Sequence, residues 1–146
     1  MQLQQRVTGE YAGKRHEMLC VLEVNSDTLS LAALSPQGIK LFALQYDGDT
    51  VQQNRSRWVP EQLQPVQVLN DIQLALWPAE KIIARLPSDW QLQHSGVERK
   101  LFERGRLRAT VIYTQGKPLA KDGEYQLVNH LYGYRLQVKT LETATL

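Results

Sequence analysis

The chain has 146 residues, 42% hydrophobic and 22% charged, which places it among globular proteins with enough length for a single core. A net charge of +2, with Arg and Lys scattered along the chain, gives little support for nucleic-acid binding through counterion release. One cysteine, Cys20, excludes an internal disulfide framework.

In chain order, residues 3–11 read as a strand, and Ala12-Gly13 turns it. Residues 14–25 form a long strand with Met18, Cys20, Leu22 and Val24 on one face. Residues 28–34 return with Leu29, Leu31 and Ala33 aligned. Ser35-Pro36-Gln37-Gly38 carries turn chemistry, and residues 39–46 follow with Phe42, Leu44 and Tyr46 as the more uniformly apolar set. Asp47-Gly48 marks a hairpin into a polar strand at 50–55.

The segment 65–86 is the one helical stretch. Val68, Leu69, Ile72 and Leu76 recur at spacings of three and four, which lines one helix face. Pro65 suits a first turn, because its missing N–H needs no partner there. Pro78 interrupts the pattern, and Ile82, Ile83 and Leu86 resume it.

After the helix, strands are expected at 90–94, 97–104, 106–114, 124–130 and 132–141. Leu107, Ala109, Val111 and Tyr113 share a parity. Tyr132, Tyr134, Leu136 and Val138 alternate with Arg135, Gln137 and Lys139. The loop 115–123 is the most flexible-looking, the tail 142–146 is expected to fray, and the cations between Arg99 and Arg108 read as a solvated hairpin. About ten to eleven strands in a meander, broken once by a helix after the fifth, predict an incomplete antiparallel β-barrel with a helical plug, in one domain spanning 1–146.

No catalytic frame is legible. His16 and Cys20 share a strand face but stand about 13 Å apart in an extended chain, too far to form a pair. Nucleotide, hydrolase and metal-ligand motifs are absent, and the turn explains Asp47 and Asp49. The chain is therefore expected to be non-enzymatic, with no cofactor and no metal. No run is apolar enough to span a bilayer.

The order strand, Ser-Pro-Gln-Gly turn, apolar strand, Asp-Gly hairpin, polar strand, helix ending in Leu76-Trp77-Pro78 resembles the lipoprotein-handling fold of LolA and LolB. A closer likeness is to an uncharacterised proteobacterial lipoprotein family often encoded beside aryl-polyene pigment genes. It is carried by Gln2–Gly9, the strand around Met18–Val24, Tyr46-Asp47-Gly48, Asp71–Pro78 and Tyr132–Leu136. These resemblances imply a half-open barrel that holds acyl chains of a lipid or lipoprotein under its helix. They imply a place in the bacterial cell envelope, facing the periplasm, with an outer-membrane anchor attached ahead of Met1. They also imply an exposed apolar loop residue, a part open to Trp58 or Leu119.

The expected cavity lining from the sheet is Met18, Leu22, Leu31, Phe42, Leu44 and Tyr46, then Leu107, Val111, Tyr134 and Leu136. Leu69, Ile72, Leu76 and Ile83 would cap it from the helix. The alternative is that all of these are ordinary core, in a monomeric scaffold that meets protein partners through strand 50–55, Trp58 and loop 115–123.

Overall fold

A computed structural model describes residues 1–57, 59 and 64–145. Five strands come first: β1 (Gln2–Tyr11), β2 (Lys14–Val24), β3 (Leu29–Leu34), β4 (Lys40–Tyr46) and β5 (Val51–Arg55). Two helices follow, α1 (Pro65–Leu76) and α2 (Ala79–Ile83). The chain ends in β6 (Trp90–His94), β7 (Glu98–Glu103), β8 (Arg106–Gln115), β9 (Glu124–Asn129) and β10 (Tyr134–Ala144).

All ten strands join one antiparallel sheet in the order β5-β4-β3-β2-β1-β10-β9-β8-β7-β6. Each half is a meander, and the chain's first and last strands pair at the centre. The two edges, β5 and β6, do not pair with each other, so this is an incomplete barrel. The predicted fold class is therefore what the chain adopts. Short turns enforce it: Ala12-Gly13 and Arg104-Gly105 both place two consecutive residues at positive φ, the geometry that matches a two-residue hairpin to the twist of its strands.

The apolar parity of every long strand turns to one face. Leu3, Leu22, Leu31, Phe42, Leu44, Val111 and Leu127 are each no more than 1% exposed there. Helix α1 lies on the same face and buries Val68, Leu69, Ile72, Ala75 and Leu76, as its spacing predicts. Across the helix break, Trp77 is itself buried. Its ring lies 6.5 Å from that of Tyr46, with the Lys81 ammonium 4.4 Å from its centroid.

Four expectations need correction. Strand β10 begins at Tyr134, so Tyr132 is in the preceding turn and 55% exposed. The tail does not fray at 142, since β10 pairs with β1 as far as Ala144. The 115–123 loop is tied down: Thr140 Oγ1 donates to Pro118 O at 2.7 Å and Thr143 Oγ1 to Leu119 O at 2.8 Å. Gly123 is fixed there because a Cβ would fall 1.9 Å from Lys117 O. Finally, Arg99 is no part of a solvated hairpin. Its guanidinium reaches across to α1.

Candidate functional site

The seam between α1 and the sheet is where the fold leaves room. A cavity of about 30 Å³ lies there, lined by Val7, Met18, Cys20, Leu127, Leu136 and Val138 of the sheet and by Val68 and Ile72 of the helix. Gln5, Asp71, Tyr125 and Tyr134 complete its wall. That volume accommodates about one water molecule, whereas pockets for drug-sized ligands start at about 300 Å³. In this form the helix is closed down on the sheet.

Of the fourteen expected lining residues, Met18, Ile72, Tyr134 and Leu136 border this cavity. Leu22, Leu31, Phe42, Leu44, Leu69, Leu76 and Val111 are buried in the surrounding core, with Tyr46 packed against it. Two residues fall elsewhere. Ile83 is 46% exposed. The turn phase restarts after Pro78, and in the five-residue α2 it is the neighbouring Ile82 that packs on the core. Leu107 pairs with Phe102 while Ala109 pairs with Leu101, so Arg108 is an extra residue in β8. That bulge reverses the parity, and Leu107 leaves the face that holds Ala109 and Val111.

A polar chain crosses the seam. Asp71, 3% exposed, projects from the apolar face of α1. Tyr134 Oη donates to Asp71 Oδ2, and Gln67 Nε2 donates to Oδ1 at 3.2 Å. Asn129, also buried, donates from Nδ2 to Tyr134 Oη at 3.2 Å and accepts the Tyr132 N–H at 2.9 Å. Burial pushes the Asp71 carboxyl up to about 6, although the hydrogen bonds from Tyr134, Gln67 and Asn129 pull the other way. The Tyr134 hydroxyl is raised too, first by burial and then by the carboxylate beside it. Burial alone lifts the Cys20 thiol to about 12, which makes it a poor nucleophile.

The far end of α1 is held differently. The helix has no basic residue in its last turn. Arg99 Nη1 of β7 donates to Leu74 O at 2.7 Å and to Trp77 O at 2.6 Å, and Tyr113 Oη of β8 donates to Ala75 O at 2.6 Å. These donors satisfy carbonyls that a helix C-terminus leaves unpaired, and the cation complements its dipole. Neither Arg99 nor Asp71 was nominated from sequence. Asp71 did leave a signal, a single carboxylate set among Val68, Ile72 and Ala75 on the apolar face. Arg99 left none, because its partners are backbone atoms.

Elsewhere, the larger depression, about 140 Å³, is on the opposite, polar face of the sheet between Arg6, Thr8, Gln126 and Gln137. Trp58 lies outside the described residues. Leu119 is partly buried against the core and does not offer the exposed loop residue expected of it. Among the described residues, no cluster of His, Cys, Asp or Glu could hold a metal ion. No helix among them is long and apolar enough to cross a membrane.

The molecule is thus a half-open antiparallel barrel whose apolar face is closed by one helical plug, with a buried carboxylate in the closing surface. Residues 2–142 match the family described as "Protein of unknown function (DUF3261)", and the chain belongs to that family. None of the curated proteins matches it. Among solved structures it is similar to one from Vibrio parahaemolyticus described as a "putative outer membrane lipoprotein-sorting protein domain", at 9% identity and a TM-score of 0.48, over 97% of this chain and 83% of that one.

Proposed function

We propose that the protein is a non-catalytic carrier or receptor of the bacterial envelope, taking an acyl chain of a lipid or lipoprotein between α1 and the sheet. One observation carries this reading: a single helix closes an otherwise open apolar sheet face, over a seam that holds a cavity and a polar chain in place of continuous close packing. The sequence resemblance to LolA and LolB points the same way, and service in aryl-polyene lipid export is the narrower form of the proposal.

A 30 Å³ cavity cannot hold a chain, so loading requires α1 to lift. The fastening is suited to that. The C-terminal end of α1 is held by Arg99 and Tyr113, while the half around Val68 and Asp71 meets the sheet through apolar contact and the polar chain of Tyr134 and Asn129. Each buried CH₂ contributes about 0.8 kcal/mol, so a chain of about twelve carbons gains roughly 10 kcal/mol, enough to offset opening a one-helix seam. The unbranched Met18 can repack around such a guest.

The near-complete filling of the seam favours a second reading, a scaffold module whose helix only completes the core. Displacement of a fluorescent apolar dye by a triacylated lipopeptide separates the two. Saturable displacement in the wild type, lost in a folded Met18→Trp variant that fills the cavity, supports the carrier. Absence of dye and lipopeptide binding in folded protein refutes it.

A further inference from the structure

Five cations at one end of the sheet are matched to carboxylates. Lys81 and Arg85 reach Asp27, Lys100 reaches Glu98, Lys121 reaches Glu142, and Lys139 reaches Asp122 and Glu124. All of these lie towards the end of the sheet where β2 turns into β3, β6 into β7 and β8 into β9.

The meander fixes the other end without ambiguity. The turns β1–β2, β3–β4, β7–β8 and β9–β10 must all emerge at one edge, because neighbouring strands alternate in direction. Lys14, Arg15, Lys40, Arg106 and Arg135 stand in or beside these turns, all exposed, and none makes an ion pair among the described residues. Lys117 is the cation of the opposite end that shares this property. Arg104, in the β7–β8 turn, is bonded to Asp89 at 3.2 Å. Among the described residues, Glu10 is the carboxylate of this edge without an ion pair, in register between Arg15 and Arg135. At the far end the unpaired groups include Glu23 and Asp49, so the barrel is charged unlike at its two ends.

The same turns expose apolar side chains. Ile39 is 53% exposed, Leu131 49%, Tyr132 55% and Tyr11 39%. Cations interleaved with half-exposed tyrosine and aliphatic tips match an anionic bilayer surface: the charges meet headgroups while the tips enter the interface. Nucleic acid fits less well, since Ile39 and Leu131 offer no face for base stacking and the cations follow a rim, with no groove.

We propose that this turn edge docks the protein on an anionic lipid bilayer. Asp71 of α1 is bonded to Tyr134, the first residue of β10 at this edge, so docking would bring that part of the plug towards the membrane. The backbone of Tyr132 is joined through Asn129 and Tyr134 to Asp71 on that helix. The docking edge does not depend on the acyl-chain reading. It is measured with vesicles, whereas that reading is measured by dye displacement in their absence, so either can fail alone.

The experiment is flotation of the purified protein with vesicles of about three parts phosphatidylethanolamine to one part phosphatidylglycerol, beside vesicles of phosphatidylcholine. Binding is expected on the anionic vesicles only, weakening as salt is raised. Reversing Lys14, Lys40 and Arg106 to Glu together should lower the partition more than about tenfold, because the attraction of each cation to an anionic surface adds to the others. Reversing Lys117 and Lys121 to Glu, an equal kind of change at the other end, should leave it within about twofold. Leu131→Ser with Tyr132→Ser should remove the binding that survives high salt. All these positions are exposed, and unchanged circular dichroism would confirm folding. Absent flotation at low salt overturns the proposal. So does flotation indifferent to the triple reversal, or binding to an acidic protein column without binding to vesicles.

Discussion

Replacing Asp71 by Asn tests the central electrostatic claim, that burial outweighs hydrogen bonding at this carboxyl. Its pKa is raised from 3.8 to about 6 in the folded protein. Between these values the folded chain holds a proton that the unfolded chain releases, so stability falls as pH rises through this window. The full linkage is about 3 kcal/mol, present below about pH 4 and gone above about pH 6. Between pH 4.5 and 7.5 the same relation gives about 2 kcal/mol, a large part of the 5–15 kcal/mol typical of a domain. An Asn side chain has the same shape and no charge to desolvate. Urea unfolding of wild type and Asp71→Asn, at pH 4.5 and at pH 7.5, isolates the term, because every other carboxylate is common to both. The wild type should lose about 1 M in urea midpoint relative to the variant on going from pH 4.5 to 7.5. A difference that stays flat, or runs the other way, would show that the bonds from Tyr134 and Gln67 dominate and that the argument is wrong.

Two further outcomes follow from the same geometry. Arg99→Ala leaves the carbonyls of Leu74 and Trp77 without their donor, and should cost about 2 kcal/mol, or about 4–8 °C in Tm by calorimetry. Arg99→Lys should recover part of this. Val111→Ala should cost about 2 kcal/mol in urea unfolding, while Leu107→Ala, four residues away on a strand of nominally uniform parity, should cost less than about 1 kcal/mol. Equal costs would place Leu107 back on the core face and remove the bulge from the account.

The succession of strands within each half and their sidedness were legible because the signals are local. Alternation along β2, β3 and β10 sets which face is apolar, and Ala12-Gly13, Asp47-Gly48 and Gly105 set where each strand reverses. The helix was legible from Val68, Leu69, Ile72 and Leu76, and its end from Pro78. Leu107 was misplaced because one inserted residue at Arg108 inverts parity without changing the composition of the strand. Ile83 was misplaced because a proline resets helical phase, after which spacing from α1 no longer applies.

By itself, then, the sequence determined the antiparallel meander, the position of the plug and the identity of most core residues. Each of these depends on a residue and its near neighbours along the chain. Only the tertiary structure decided that the first and last strands close the middle of the sheet and that α1 is capped by Arg99 and Tyr113. It also decided that Asp71 is buried against Tyr134 and that the unpaired cations gather on one edge. Each of these joins groups far apart in sequence, and the energy of a hydrogen bond or a charge depends on where the fold puts its partner and how much water it excludes.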